Sequence, residues 1–190
     1  MYILFEGIDT TGKSTQIELL RSKFPQYIYT KEPGGTEFGV KAREILLEAK
    51  LTSKRAELLL FLADRAEHYR EIVYKNRDNS VISDRGFLSG IGYALANGDF
   101  EFNQLLELNR FALEGNFPDK IILFTTNINT LKERMGEKTL DGIEKRGLEY
   151  LISVQEFMIS SLKELDIDYI LIDSTTQSID EIHNIIREYI

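Results

Sequence analysis

Five short apolar segments alternate along the chain with longer segments whose apolar residues recur at helical spacing. The short segments are rich in Ile, Val, Tyr and Phe and show little alternation; they lie at residues 2–5, 27–29, 81–82, 121–124 and 169–172. Strands that are buried on both faces have this composition, as in a parallel sheet covered by helices. The pattern therefore predicts five buried parallel strands.

The longer segments predict helices at residues 13–23, 37–48, 54–76, 101–115, 143–165 and 178–189. Ser178 is the expected N-cap of the last one, because Asp180 and Glu181 follow it. The predicted order is β-α-β-α-α-β-α-α-β-α-α-β-α. It indicates a doubly wound α/β fold, a five-stranded parallel sheet flanked by helices and joined by right-handed crossovers. Ligands of such sheets bind beyond the carboxyl ends of the strands.

Composition limits the classes of protein to consider. The chain has 190 residues, of which 43% are apolar, and this predicts one domain over residues 1–190. Its net charge of −8 argues against binding a nucleic-acid polymer. The absence of cysteine excludes disulfides and thiol chemistry. No signal peptide and no apolar stretch near the roughly 20 residues of a membrane helix is present, so we expect a cytoplasmic protein with no membrane partner.

The strongest motif is Gly-Ile-Asp-Thr-Thr-Gly-Lys-Ser at residues 7–14, which matches G-x-x-x-x-G-K-[ST] between a predicted strand and a predicted helix. Glycines let successive backbone N–H groups face one anion, and the helix adds its positive N-terminal end. Lys13 is expected to reach the β- and γ-phosphates, and Ser14 to place its hydroxyl on Mg²⁺. The residues predicted to bind the triphosphate are Gly7, Ile8, Asp9, Thr10, Thr11, Gly12, Lys13, Ser14 and Thr15.

Two further clusters follow predicted strands. Asp84 and Arg85 end the third strand, where the carboxylate can hold hydrated Mg²⁺ and the guanidinium can clamp a second phosphate. Residues 31–36 read Lys-Glu-Pro-Gly-Gly-Thr, in which Pro-Gly-Gly predicts a chain reversal. Arg43 follows about two helical turns into the next predicted helix. Each cluster also has a plain interpretation, as a surface ion pair or as a loop with a solvated arginine.

A third cluster lies within a predicted helix. Phe61 and Arg65 are four residues apart and so share a face of that helix. A ring and a guanidinium placed in this way can stack on a base and hydrogen-bond its edge. The plain alternative is a core phenylalanine beside a surface arginine.

Taken together, the motifs resemble thymidylate kinase, in the same order and at the same spacing. The similarity runs through the Phe-Glu-Gly-Ile-Asp start of the phosphate loop, Glu-Pro-Gly-Gly-Thr at 32–36, the 61–65 segment, Asp84-Arg85, and Leu-Asn-Arg-Phe-Ala at 108–112 with Pro-Asp at 118–119. It spans residues 3 to about 150. It implies a P-loop NTPase fold with a mobile lid at about 134–147, and a homodimer.

The resemblance implies an ATP-dependent enzyme that moves the γ-phosphoryl of ATP to dTMP with Mg²⁺, giving dTDP and ADP in dTTP biosynthesis. Carried over, Arg85 and Arg43 bind the dTMP phosphate, Phe61 stacks on thymine, Arg65 bonds its O4, and Tyr93 packs under the deoxyribose. The dTMP-binding residues implied are Asp9, Glu32, Pro33, Arg43, Phe61, Arg65, Arg85, Ser89 and Tyr93. Those implied for catalysis are Lys13, Asp9, Arg85 and Arg134, and those for the metal are Ser14 and Asp84.

The sequence departs from the family pattern at several positions. Thr10 and Thr11 stand where a P-loop arginine is often found, and the usual lid Asp-Arg reads Asp-Gly at 141–142. The substitutes that we consider are Arg134, Lys138, Lys145 and Arg146, and Arg134 has the alternative role of stacking on adenine. Base recognition also differs, since Gly90 occupies the position of a side chain that often reads the thymine N3 edge.

Three other functions compete with this interpretation. A P-loop kinase for another (deoxy)nucleoside monophosphate, or for a nucleoside, keeps the chemistry and changes the acceptor. A regulatory GTPase is disfavoured, because no guanine-reading Asn-Lys-x-Asp occurs. A catalytically weak nucleotide-binding module is suggested by the missing arginines. The two histidines, His68 and His183, are predicted to be structural.

Overall fold

The computed structural model describes residues 1–48, 51–136 and 147–190. Its centre is a five-stranded sheet in which every pairing is parallel. The spatial order of the strands is β2-β3-β1-β4-β5, with β1 at Tyr2–Glu6, β2 at Ile28–Lys31, β3 at Val81–Asp84, β4 at Lys120–Thr125 and β5 at Asp168–Asp173. The predicted doubly wound parallel sheet is confirmed.

Eight α-helices lie within the described residues, seven of them between strands and the last after β5. They are α1 (Lys13–Lys23), α2 (Glu37–Glu48), α3 (Lys54–His68), α4 (Phe87–Ala96), α5 (Phe102–Ala112), α6 (Ile128–Met135), α7 (Leu148–Lys163) and α8 (Ile179–Tyr189). The segment predicted as one helix over 54–76 is α-helical only as far as His68. A π-helical turn at Tyr69–Val73 and a short 3₁₀ turn at Tyr74–Asn76 follow. Ser178 caps α8 as predicted, in a capping box with Glu181.

The sheet carries a hydrophobic core on each face. Ile3 and Phe5 of β1 pack with Leu20 of α1 and with α8, whereas Tyr2 and Leu4 face the other side. All five residues of β1 are buried, which is why its sequence shows no apolar–polar alternation. None of the helices in the described ranges has the length and apolar character of a membrane span.

The register of the neighbouring strands β2, β3 and β1 brings the sequence clusters to one end of the sheet. Phe5 of β1 and Lys31 of β2 are both register partners of Asp84 at the end of β3. Three loops therefore leave the sheet side by side: the phosphate loop after β1, the 32–36 turn after β2, and Arg85 after β3. A ligand above the carboxyl ends of these strands can touch all three at once.

Candidate active site

The loop between β1 and α1 has the backbone geometry of an anion cradle. Gly7, Thr10 and Gly12 all have positive φ angles, of 136°, 63° and 95°. At Gly7 a Cβ atom would lie 2.5 Å from the carbonyl oxygen of Phe124, so only glycine fits there. Helix α1 begins at Lys13 and directs its N-terminal end toward the same cleft. The local geometry agrees with the predicted phosphate loop.

A cleft of about 360 Å³ opens above this loop. It is lined by the predicted phosphate-binding and metal-binding residues together with the acceptor-side cations: Asp9, Thr10, Thr11, Gly12, Lys13, Ser14, Thr15, Lys31, Glu32, Arg43, Asp84 and Arg85. Four of these side chains are cationic. A cleft with this charge suits a polyphosphate, although the whole chain is acidic.

Lys13 is buried in the floor of the cleft. Its Nζ atom donates to the carbonyl oxygen of Ile8 at 2.7 Å and lies 3.5 Å from Thr11 Oγ1. Burial, with a contribution from the positive charge of Arg85, lowers the pKa of Lys13 to about 7. The carboxylates of Asp84, Asp9 and Glu6 raise this pKa, but they do not offset burial and the charge of Arg85.

This depressed pKa predicts that ATP binding takes up a proton. At about pH 8, above the pKa of about 7, free Lys13 is mostly neutral, and the bound phosphates recharge it, with an uptake of nearly one proton per ATP. At about pH 6 Lys13 is already protonated, so its share of the uptake disappears. Titration calorimetry in two buffers of different ionisation enthalpy measures the uptake. A Lys13→Met variant that takes up as many protons at the higher pH would contradict the assignment.

Ser14 and Asp84 lie together at the mouth of the cleft. The Ser14 hydroxyl donates to Asp84 Oδ2 at 3.2 Å, so two oxygen donors are adjacent beside the phosphate loop. In the part of the chain that the structure describes, no cluster of three or more metal-ligating side chains occurs. The pair therefore fits a cation that takes few protein ligands and completes its shell with phosphate oxygens and water, as Mg²⁺ does.

Arg85 ties the phosphate loop to the end of β3. It has a positive φ angle of 69°. One guanidinium nitrogen donates to the carbonyl oxygen of Gly7 at 2.6 Å and to Ser89 Oγ at 3.2 Å. The other donates to Asp9 Oδ1 at 3.0 Å. The Ser89 hydroxyl in turn donates to the buried carboxyl of Glu6, whose pKa is raised by burial.

A second cavity adjoins the first, and the two share Asp9, Glu32, Arg43 and Arg85. Its remaining lining residues are mostly apolar or small, and they are Pro33, Leu47, Phe61, Arg65, Gly86, Ser89, Gly90 and Tyr93. The structure thus places all nine residues predicted for dTMP around this one cavity. Tyr93 also lies under the Arg85 guanidinium, with 5.9 Å between the ring centroid and Cζ.

The 32–36 turn is fastened to the helices below it by buried polar groups. Glu32 Oε2 accepts from Arg65 Nε at 2.9 Å, and Glu32 Oε1 lies 2.8 Å from His68 Nδ1. His68 Nε2 is 2.8 Å from the hydroxyl of Thr30. Burial raises the pKa of the Glu32 carboxyl, but its interactions with Arg65 and His68 outweigh burial and leave the pKa lowered. His68 is fully buried in this network, in agreement with its predicted structural role.

Asp64 holds the same turn from α3, because its Oδ1 atom accepts from the backbone N–H of Gly34 at 3.2 Å. The residue is 1% exposed. Burial, together with the negative charge of Glu32, raises its pKa to about 6. A raised carboxyl pKa means that the contribution of Asp64 to stability is fully present below its unfolded pKa of about 3.9 and is lost as the pH rises through about 6.

We therefore expect Asp64→Asn to stabilise the protein above about pH 7, by an amount of the order of 2 kcal/mol. The amide keeps the oxygen that accepts from Gly34 and lacks the buried charge. The variant should also lose the decline in stability between about pH 4 and pH 6 that Asp64 causes. Chemical unfolding over that pH range tests this, with the exposed Asp78→Asn as the control. Equal pH dependence in Asp64→Asn and the parent protein would refute the assignment.

Arg134 is the one lid candidate that lies within the described residues. It is at the end of α6, where its guanidinium donates to the carbonyl oxygen of Thr10 at 3.2 Å, and to the hydroxyl and carbonyl oxygens of Ser174 at 3.0 and 2.6 Å. It therefore spans from the phosphate loop to the segment after β5. The other lid residues considered, Lys138, Asp141, Gly142, Lys145 and Arg146, lie outside the described residues.

Among the residues to which sequence reasoning assigned no role, the structure places Lys31 and Asn109 at the site. Lys31 lines the phosphate cleft beside Arg43, and its position directly before Glu-Pro-Gly-Gly-Thr was the available signal. Asn109 reaches the Arg65 guanidinium, with Oδ1 accepting from it at 2.8 Å. Asn109 was noted only as part of the 108–112 segment, and no local pattern pairs it with a residue 44 positions away.

Comparison with known proteins shows the family of this chain. A family model described as "Thymidylate kinase" matches residues 5–186. Thymidylate kinase of Sulfurovum sp. (strain NBC37-1) is 65% identical over 190 residues, covering 100% of this chain and 99% of the relative. That of Sulfurimonas denitrificans is 51% identical, covering 96% of this chain and 95% of the relative.

Solved structures give the same result for the fold. Thymidylate kinase from Ehrlichia chaffeensis superposes with a TM-score of 0.79 at 24% identity, covering 100% of this chain and 97% of the other. Thymidylate kinase from Candida albicans gives a TM-score of 0.76 at 27% identity, covering 99% and 89%. The match of the family model over nearly the whole chain, with relatives of high identity over their full length, shows that this chain belongs to the thymidylate kinase family.

Proposed function

We propose that this protein transfers the γ-phosphoryl group of ATP to dTMP, giving dTDP and ADP. The observation that carries the proposal is the pair of adjoining cavities. One is a polar cleft over a phosphate loop, and the other is lined by Phe61, Tyr93 and a buried arginine. Asp9, Arg43 and Arg85 line both, so an acceptor phosphate held there faces the donor phosphates.

On the donor side, the backbone N–H groups of the phosphate loop bind the triphosphate, and Lys13 neutralises its terminal phosphates. Ser14 and Asp84 are the residues that would hold Mg²⁺. Bound there, the ion would neutralise charge on the phosphates of ATP. The Ser14–Asp84 contact of 3.2 Å keeps these two oxygen donors together and beside the loop that positions ATP.

On the acceptor side, the guanidinium groups of Arg85 and Arg43 bind the dTMP phosphate. Arg43 is held toward the cavity by its bond to the carbonyl oxygen of Pro33 at 3.2 Å. Phe61 stacks on the base, Arg65 donates to its O4 atom, and Tyr93 packs against the sugar. An acceptor phosphate oxygen then attacks the γ-phosphorus in line, and the protein contributes positioning and charge rather than covalent chemistry.

The transferred phosphoryl group needs positive charge, although the phosphate loop has no arginine. Lys31 lines the same cleft as the phosphate loop, is exposed to solvent, and is the register partner of Asp84. Arg134 contacts the loop carbonyl of Thr10. We propose that Lys31 supplies charge at the phosphoryl group from the acceptor side, and that Arg134 acts from the donor side.

The test is a coupled ADP-release assay with ATP and Mg²⁺ that compares dTMP with dUMP, UMP, dCMP, dGMP, AMP and thymidine. We expect dTMP to stimulate ADP release far more than the others, because Arg65 and Phe61 face the base and two arginines face the phosphate. Stronger stimulation by another monophosphate would instead support a P-loop kinase for that nucleoside monophosphate. Stimulation by thymidine would leave Arg43 and Arg85 without a phosphate to bind. No stimulation at all would favour a nucleotide-binding module.

We also propose that the protein forms a homodimer and is cytoplasmic. Large apolar side chains are exposed on three helices, namely Phe38, Val40 and Ile45 on α2, Leu59 on α3 and Phe111 on α5. Exposed apolar side chains on these helices support burial against a second copy. Light scattering after gel filtration measures the mass, and a monomer at micromolar concentration would contradict the dimer.

A further inference from the structure

Arg65 is a cation held almost entirely inside the protein, with only 3% of its surface exposed. Three protein acceptors surround its guanidinium. Nε donates to Glu32 Oε2 at 2.9 Å, one terminal nitrogen donates to Asn109 Oδ1 at 2.8 Å, and the other to the carbonyl oxygen of Gly86 at 3.0 Å. A guanidinium carries five N–H donors, so these bonds occupy three and leave two for a ligand in the cavity that Arg65 lines.

The acceptors are themselves held in place. Asn109 is 1% exposed on α5, and its Nδ2 atom donates to the carbonyl oxygen of Leu105 at 2.8 Å. This bond requires the nitrogen to face the helix and the oxygen to face Arg65, so the amide orientation follows from its partners. Glu32 is fixed on its other oxygen, which lies 2.8 Å from His68 Nδ1.

Gly90 adds a steric limit on the guanidinium. A Cβ atom at this position would lie 3.2 and 3.3 Å from the two terminal nitrogens of Arg65. The guanidinium therefore lies directly against the backbone of α4, in the space that a side chain would occupy. With an acceptor on each of its three nitrogens and a helix backbone against it, the Arg65 guanidinium cannot rotate without breaking these bonds.

We propose that Asn109 is a positioning residue that locks Arg65 as a fixed donor and thereby makes the pocket select 4-oxo over 4-amino pyrimidine nucleotides. This rests on the proposed function, in which Arg65 faces position 4 of the base. A 4-oxo group accepts from the free N–H groups. A 4-amino group is itself a donor, so its hydrogens face the N–H groups of Arg65 and no hydrogen bond forms. An arginine held in place cannot rotate to relieve this donor–donor contact. Buried polar groups without a partner give strong discrimination.

Two variants at one position separate hydrogen bonding from packing. Asn109→Leu keeps the approximate size and removes the acceptor, whereas Asn109→Asp keeps an acceptor toward Arg65. For Asn109→Leu we expect KM for dTMP to rise about 10-fold with kcat changed by less than about 3-fold, and the ratio of kcat/KM for dTMP over dCMP to fall at least about 10-fold. Asn109→Asp should keep that ratio within about 3-fold of the parent protein.

The matched control is Asn103→Ala, on the same helix but exposed to solvent, which should leave the ratio unchanged. Gly90→Ala is a second test, because its methyl group would press on the terminal nitrogens of Arg65 from α4. This variant should lower the dTMP-over-dCMP ratio even if Asn109→Leu does not fold. An unchanged ratio in a folded Asn109→Leu or in Gly90→Ala would overturn the proposal, and so would an equal loss in the Leu and Asp variants. A parent protein that does not use dTMP would overturn the proposed function itself.

Discussion

Replacing Arg85 with lysine is expected to lower kcat/KM for dTMP by about 1,000-fold. Arg85 spans three acceptors, the carbonyl oxygen of Gly7, the Ser89 hydroxyl and Asp9. An ammonium group is a single point charge and cannot reach all of them while it also binds a phosphate. The change therefore removes the link between the phosphate loop and β3 together with the acceptor clamp.

The measurement is steady-state kinetics with dTMP varied at saturating ATP, and then with ATP varied. Because Arg85 lies at the acceptor phosphate and also supports the loop, both KM for dTMP and kcat should change, while ATP affinity should change less. Arg70→Lys is a matched control, since Arg70 is exposed and paired with Glu114 at 3.3 Å, away from both cavities. An Arg85→Lys variant with nearly normal kcat and KM would remove Arg85 from the acceptor site.

Replacing Lys13 with methionine is expected to lower kcat by about 1,000-fold and at the same time to raise the stability of the ligand-free protein. Methionine keeps an unbranched chain in the buried space and removes the charge that neutralises the γ-phosphate. The sign of the stability change follows from the pKa of about 7 for Lys13, which is below its unfolded value of about 10.4. The unfolded chain therefore binds the proton more strongly, and burying Lys13 opposes folding at neutral pH.

Thermal unfolding with and without ATP, beside the kinetic assay, tests both halves of this prediction. The variant should unfold at a higher temperature than the parent protein without nucleotide, and ATP should stabilise it much less. Lys23→Met, at the exposed end of the same helix, should change neither quantity. A Lys13→Met protein that is destabilised in the absence of nucleotide would show that Lys13 does not carry a buried charge in the fold.

The sequence alone determined the parts of this protein that depend on short stretches of chain. The phosphate loop is local, because its glycines, Lys13 and the following helix lie within a few residues of one another. The five strands were recognisable because both faces of the sheet are buried, so that β1 consists of consecutive apolar residues up to Glu6. The cap at Ser178 depends on a residue only three positions away.

The sequence predicted helix boundaries less well where tertiary packing sets the local backbone geometry. The helix predicted over 54–76 keeps its helical character but changes to a π-helical turn after His68. At this point Tyr69 and Val73 are buried against the core, and packing rather than helical period sets where their side chains lie. The bounds of α4 and α6 were not predicted, although the predicted order of elements included two helices on each side of β4.

Only the tertiary structure decided how the site is held together, because its bonds join residues far apart in the chain. Glu32 and Asn109 lie 33 and 44 residues from Arg65. The sequence offered Arg65 as either a surface residue or a base reader, and burial with three acceptors excludes the surface alternative. Lys31 lies beside Asp84 because the two residues are register partners in β2 and β3. A sequence pattern records which side chains are present, but the direction in which a buried cation can donate depends on which acceptors the fold brings around it.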